Sequence, residues 1–246
     1  MDSTIRVADL PAMRGARWIS ESFRLFGGSP FVWMSLCLSW LGLTFALLFV
    51  PVLGGPVASF LQPAFAASFA IVAYRQSRGE KIGANDIFIG FRHNLRSLVS
   101  LGAIFATVML GIFLAGMAMG LPLGPQSTDP GAFEEYVKQV DEKRWIVLSC
   151  FAALVLLKAV LWFAPQLIAF HGMDTMQSIR WSAYAAVSNI GALLVYGILL
   201  YGLFYLSLLT FPWVFGLAVT IPVAAISGYI GYRDVFEPVP VEVKTP

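Results

Sequence analysis

The sequence predicts an all-α fold, a polytopic membrane bundle of six transmembrane helices in three hairpins. Of its 246 residues, 58% are apolar and 12% are charged, whereas a soluble domain usually carries about 25% charge. The mean hydropathy is +0.77. Six apolar stretches are long enough to cross a hydrocarbon core about 30 Å thick as helices. Because these stretches are continuous and do not alternate with period two, they indicate helices and exclude a β-barrel.

Residues 1–236 are predicted to form one integral membrane domain, followed by a flexible cytoplasmic tail at 237–246. The predicted spans are 31–50, 57–74, 98–120, 145–170, 190–210 and 213–232. The external loop at 121–144 contains Asp129-Pro130, a pair typical of an N-cap followed by the first residue of a helix. We therefore expect a short amphipathic helix that starts at Pro130 and merges into the fourth span at Trp145.

Amphipathic segments precede the first, third and fifth spans. Each combines an apolar face with basic residues, as in helices that lie on the cytoplasmic leaflet. The basic residues predicted to contact lipid phosphates are Arg17, Arg24, Arg92, Arg96 and Arg180. Five tryptophans near span ends (Trp18, Trp33, Trp145, Trp181 and Trp213) are predicted to form the aromatic belts of the two interfaces.

The distribution of Lys and Arg predicts the orientation of the chain. With the N-terminus in the cytoplasm, that side holds twelve basic residues and the opposite side three, while Lys158 lies inside a span. This asymmetry follows the positive-inside rule. We therefore expect both termini in the cytoplasm.

Lys158 is the most unusual residue, because an ammonium inside a span costs about 2.5–3.5 kcal/mol on insertion scales. It lies 13 residues after Trp145, about 20 Å along a helix. One interpretation is a site that attracts an anion or a lipid headgroup. The alternative is a lysine whose stem snorkels towards the interface, in a helix bent by Pro165.

Two Pro–Gln pairs add polar groups to the spans. Pro63 and Pro165 each remove a backbone hydrogen bond beside Gln62 and Gln166, and freed carbonyls with amide side chains are typical of transporter sites. Their positions place Gln62 in the outer half of its span and Gln166 in the inner half. We therefore expect no compact site with Lys158 unless the helices tilt strongly, and kinks that only shape the packing are an alternative.

No sequence pattern indicates an enzyme, a cofactor or a metal site. The polar residues at span boundaries, Asp86, His93, His171, Asp174, Arg180, Arg233 and Asp234, are interpreted as anchors and caps, with Asp174 capping the helix that follows. An intramembrane enzyme that uses such His and Asp residues is the minor alternative. The net charge of +2 gives no reason to expect nucleic acid as a partner.

Four stretches resemble a family of uncharacterised proteobacterial inner-membrane proteins. They are GARWISESFRLF (15–26), WFAPQLIAFHG (162–172), SNIGALLVYG (188–197) and GYRDVF (231–236). The resemblance implies six helices and a bacterial inner-membrane location, and it supplies no catalytic residue.

Two functions remain open from the sequence. The first is a non-enzymatic protein that binds lipids or organises membrane-protein partners, including a second copy of itself. The alternative is a transporter of small solutes or lipids, with a polar path at Lys158, Gln62 and Gln166. Convergence of these three side chains on one cavity would favour transport.

Overall fold

The computed structural model describes residues 6–50, 54–125, 127–210 and 212–236, and confirms the predicted all-α fold. The predicted tail at 237–246 lies outside these residues. Six helical segments are long and apolar enough to cross a membrane, so the chain is a multi-pass membrane protein. The α-helices are α1 (Arg14–Gly28), α2 (Pro30–Leu48), α3 (Gly54–Ser77), α4 (Leu95–Ala118), α5 (Pro130–Glu142), α6 (Arg144–Val160), α7 (Ala164–His171), α8 (Thr175–Ser188), α9 (Ile190–Leu209) and α10 (Trp213–Phe236).

The spanning segments form three hairpins, α2 with α3, α4 with α6 and α7, and α9 with α10. One end of the bundle carries α1 and α8, and we call it the basic end. The other end carries α5 and is called the loop end. Two side-chain bonds hold connections together at the basic end: Asn94 donates to the Met173 carbonyl at 3.1 Å, and Thr175 donates to the Ser97 carbonyl at 3.0 Å.

Helix α1 is tied to the last turn of α10 by five side chains that we call the N-terminal clasp: Arg14, Trp18, Glu21, Arg233 and Asp234. Asp234, with its side chain 6% exposed, accepts from Arg14 Nε at 2.6 Å and from Trp18 Nε1 at 3.0 Å. Arg233 donates to Glu21 at 2.6 Å and to Asp234 at 3.3 Å. The hydrogen bond to Asp234 raises the pKa of Arg14 above its ordinary value, against the opposing effect of partial burial. Helix α1 is therefore packed against the bundle on one face rather than lying free on a membrane surface.

Residues before α1 are joined to the ends of two later helices. The amide of Ala8 donates to the Val235 carbonyl at 2.9 Å. Asn189, which is 1% exposed, accepts from the Leu10 amide at 3.0 Å and donates to the Ala8 carbonyl at 2.9 Å. These hydrogen bonds satisfy the buried side chain of Asn189 and also the backbone polar groups of the segment that precedes α1.

The second amphipathic segment differs from an interfacial α-helix. It is a 3-10 helix over Ala84–Arg92, and its Gly90 amide donates to Ser68 Oγ of α3 at 2.9 Å. A Cβ at Gly90 would collide with the Ala64 carbonyl, so only glycine allows this close approach. Contact with α3 decides the local geometry here more than the amphipathic pattern does.

The aromatic-belt interpretation is wrong for Trp18 and Trp33, which are fully buried. Trp18 donates to Asp234, and Trp33 Nε1 donates to Gln76 Oε1 at 2.6 Å. Each indole N–H thus has a polar partner inside the protein, which allows the ring to be buried. Trp145 is 71% exposed, as a residue at an interface would be.

The loop end contains the predicted short helix. Helix α5 begins at Pro130, as expected, and ends at Glu142. A single residue, Lys143, separates it from α6. Asp129 occupies the N-cap position but makes no side-chain capping bond. Phe133 and Val137 are exposed on α5, so this helix presents an apolar stripe outside the bundle.

Candidate intramembrane ligand site

A cavity of about 210 Å³ lies between the spanning helices. Lys158, Gln62 and Gln166 all line it. Other lining residues are the prolines next to the two glutamines, Pro63 and Pro165, and the aromatic residues Phe105 and Trp162. The expectation that these three polar residues do not share one compact site is therefore wrong. Helices α3, α4, α6, α7 and α10 supply the walls.

The fourth spanning segment is broken between Lys158 and Gln166. A continuous helix would separate Lys158 and Gln166 by about 12 Å along its axis and about 80° around it. Instead α6 ends at Val160 and α7 begins at Ala164. Ser182 of α8 stabilises the break, because its hydroxyl accepts from the Phe163 amide at 3.0 Å and donates to the Val160 carbonyl at 2.6 Å.

Gln166 has a structural part in the same break. Its side chain is buried, with the residue 4% exposed. In the amide orientation that satisfies its neighbours, the nitrogen donates to the carbonyls of Trp162 at 3.1 Å and Phe163 at 3.2 Å. The donors of Gln166 are thus used by the backbone, which leaves its carbonyl oxygen as the group available to a ligand.

Lys158 lies on the exposed rim of the cavity. Its ammonium is 4.5 Å from the centre of the Phe105 ring, a cation–π contact. It forms no salt bridge within the described parts of the chain. Along the chain it is about 21 Å from Arg144 and about 20 Å from His171 at 1.5 Å per residue. Both distances exceed the length of a four-carbon stem, which counts against simple snorkelling.

Two further side chains that carry hydrogen-bond donors line the cavity. Gln62 is partly buried and has no hydrogen bond to another described residue. The indole nitrogen of Trp162 is buried and has no partner among the described residues, although an unsatisfied buried donor is costly. Trp162 was not predicted as a site residue, and its position within an apolar segment, away from either interface, was the available signal.

An aromatic cluster lies beyond the cavity, towards the basic end. Tyr74, Phe170, Tyr229 and Tyr232 lie about one turn beyond the cavity on α3, α7 and α10, with ring centres 5.0–6.2 Å apart. Tyr229 and Tyr232 are buried. Packed aromatic rings therefore lie between the Lys158 cavity and the basic end.

The five arginines predicted to contact lipid phosphates are all exposed. None of Arg17, Arg24, Arg92, Arg96 and Arg180 belongs to a salt bridge between described residues, unlike Arg14, Arg75 and Arg233. Arg180 borders a surface depression with Val7, Trp181 and Tyr184. Their lipid contacts remain a prediction.

Most other boundary residues have structural partners. Asp174 accepts from the Gln177 amide at 2.8 Å, which confirms the predicted helix cap. Asp86 accepts from the Gly83 amide at 2.9 Å and from Arg75 at 3.1 Å. The side chain of His171 is 2.8 Å from the Tyr232 hydroxyl.

Comparison with known proteins gives one informative similarity. The chain is 24% identical over 212 residues to a probable inner membrane protein of Burkholderia thailandensis, an alignment that covers 81% of this chain and 76% of the relative. No described protein family and no solved structure matches the chain. The similarity and the six apolar helices together support a membrane location.

Proposed function

We propose that this is a non-enzymatic inner-membrane protein that binds a membrane amphiphile with an anionic head at the Lys158 cavity. The ammonium of Lys158, without a carboxylate partner among described residues, carries this proposal. A buried or membrane-embedded cation is costly unless it is paired. An anionic head would supply the missing charge.

Gln62 favours a head that accepts hydrogen bonds, because its side chain offers an amide nitrogen on the cavity wall. The Lys158 ammonium and the Gln62 amide form a set of two donors around a small volume. Such a set complements the oxygens of a carboxylate or a phosphate.

Binding without chemical conversion is supported by the roles of the titratable boundary residues. Asp86 and Asp174 cap helices, and Asp234 belongs to the N-terminal clasp. Among the described residues there is no group of three His, Cys, Asp or Glu side chains that could hold a metal ion. We therefore assign these residues to stability rather than to catalysis.

Transport of a lipid or small solute is the second candidate, favoured by the convergence of Lys158, Gln62 and Gln166. A headgroup that reaches this depth has left the interface. The aromatic cluster at the basic end argues against an open path in this conformation. A transporter would have to separate Tyr74 and Phe170 from α10 in another state.

We further propose that both termini face the cytoplasm and that the five exposed arginines contact lipid phosphates there. The basic end then meets anionic lipids, each exposed Arg contributing about 1 kcal/mol near such a surface. Single cysteines at Arg24 and Glu134, in a protein lacking Cys37 and Cys150, test the orientation. An impermeant maleimide added to intact cells should label position 134 and not position 24, and the reverse result would refute the orientation.

Purification with native lipids tests the binding proposal. Mass spectrometry should find an anionic lipid retained by the wild-type protein and lost from Lys158→Leu. Lys138→Leu, which removes an exposed lysine of α5, is the matched control and should retain the lipid. Equal retention by both variants would refute the site, as would failure of Lys158→Leu to accumulate in membranes, because Lys158 would then be structural.

Proteoliposomes separate transport from binding. A fluorescent anionic lipid should cross the bilayer faster with the wild-type protein than with Lys158→Leu if the protein is a transporter. An unchanged rate, together with Lys158-dependent retention, would support binding and exclude transport of that lipid.

A further inference from the structure

A second, apolar cavity lies beside the Lys158 cavity, nearer the loop end. Its volume is about 610 Å³, and α3, α4 and α6 form its walls. Representative lining residues are Phe60, Ala106, Phe113, Cys150 and Leu154. We call it the apolar groove.

The groove and the Lys158 cavity share three helices, α3, α4 and α6, in their walls. On α6, Cys150, Leu154 and Lys158 follow one another at intervals of four residues and therefore lie on one face. On α4, Phe105 lines the polar cavity and the adjacent Ala106 lines the groove. The Lys158 cavity and the apolar groove are therefore neighbours along these helices.

We propose that the Lys158 cavity and the apolar groove together bind a single-chain fatty carboxylate, with its head at Lys158 and its tail in the apolar groove. This inference rests on the proposed function and assigns the class of ligand. The Lys158 cavity has a volume of only about 210 Å³, which suits a small head. The neighbouring apolar groove is a single groove, which suits one acyl chain.

The side chains that line the Lys158 cavity favour a carboxylate over a phosphodiester as the ligand head. Phosphate sites commonly use arginine, whose planar group binds two oxygens at once. The Lys158 cavity has one lysine and two glutamines among its lining residues, and no arginine. A glycerophospholipid would also have to bring its glycerol and second chain away from the interface to place its phosphate beside Lys158.

The head should dominate the affinity. Lipid tails are as apolar as leucine, so transfer of a tail from bilayer to groove gains little hydrophobic free energy. A hydrogen bond to a charged group contributes about 1.5–3 kcal/mol, which corresponds to roughly 10- to 150-fold in affinity. Loss of the ammonium should therefore weaken binding by at least about tenfold.

Cys150 provides a native reporter inside the groove. In a Cys37→Ala protein it is the remaining thiol, and its alkylation by N-ethylmaleimide can be followed by intact-protein mass spectrometry in phosphatidylcholine nanodiscs. Palmitate at mildly alkaline pH and at ten times its Kd should slow this reaction about tenfold, because the unoccupied fraction falls as 1/(1 + [L]/Kd). Methyl palmitate, which lacks the anion, should give no protection.

Two variants divide the test between head and tail. Lys158→Leu should reduce the protection by palmitate from about tenfold to about twofold or less, while Lys138→Leu should preserve it. Leu154→Trp fills the groove and should reduce palmitate retention measured by native mass spectrometry. Leu156→Trp, on the exposed side of the same helix, is the matched control and should not.

The outcomes distinguish this inference from the proposed function. Lys158-dependent retention of an anionic phospholipid, without protection by palmitate, would overturn the carboxylate assignment and leave the proposed function intact. Equal protection by palmitate and its methyl ester would also overturn it. Undiminished palmitate retention by Leu154→Trp would refute the position of the tail, and absence of any Lys158-dependent lipid would refute both proposals.

Discussion

Replacing Asp234 with asparagine removes one charge from the N-terminal clasp while preserving the shape of the side chain. In the wild-type protein this carboxylate accepts from Arg14 Nε at 2.6 Å and from Trp18 Nε1 at 3.0 Å. It also lies 3.3 Å from Arg233. In the variant both arginines would have to share the single carboxylate of Glu21.

The magnitude follows from the burial of the clasp. Removal of one partner from a buried ion pair costs about 3–5 kcal/mol. The Arg14 and Arg233 side chains are 25% and 30% exposed, so water can partly solvate the charges left behind. We therefore expect a loss of about 2–3 kcal/mol, which for about 150–250 residues corresponds to a fall of about 4–12 °C in the unfolding midpoint.

Thermal unfolding in a mild detergent, followed by tryptophan fluorescence, measures this change. Asp141→Asn is the control, because its pair with Arg144 is 3.6 Å long and both side chains are largely exposed; such surface pairs contribute little. Arg14→Gln combined with Asp234→Asn should lose less than the sum of the single variants. The assignment of the clasp would be refuted if Asp234→Asn unfolded at the same temperature as Asp141→Asn.

Three further substitutions probe the other polar contacts. Ser182→Ala leaves the buried Phe163 amide without its acceptor, so we expect a loss of about 1–3 kcal/mol in the same unfolding assay, and an unchanged midpoint would contradict the part of Ser182 in the helix break. Asn189→Ala removes the acceptor of the Leu10 amide and should increase proteolysis of the N-terminal segment in detergent; equal cleavage rates would disprove this anchoring. Lys158→Leu should insert at least as well as the wild type, because an ammonium in a span costs about 2.5–3.5 kcal/mol, and lower accumulation in membranes would show a structural need for the charge.

The spanning segments were predictable because length and hydropathy alone decide whether a helix can cross a bilayer. The first predicted span, 31–50, begins one residue after the start of α2 at Pro30, and the predicted loop helix begins at the same residue as α5. These elements depend on local signals, a proline at a helix start and a continuous apolar run. Nothing distant in the chain is needed to define them.

The ends of the helices were less predictable where the partner lies far away in the sequence. Trp18 resembles an interfacial tryptophan in composition, but it donates to a residue 216 positions later. Arg14 and Asp234 are separated by 220 positions. Charge counting places such residues at a boundary correctly, yet it cannot tell an arginine that pairs within the protein from one that is free to meet a lipid.

The Lys158 cavity shows the same limit at the candidate site. Positions along the spans place Gln62 and Gln166 in opposite halves of the membrane, and the proline at position 165 predicts a bend without showing which residues it brings together. The break also involves Ser182, a residue of another helix whose hydroxyl bonds both of its sides. A serine in an amphipathic segment carries no local sign of this role. The polar site is therefore a tertiary property of α6, α7 and α8, and its residues could be selected from the sequence one by one while their convergence could not.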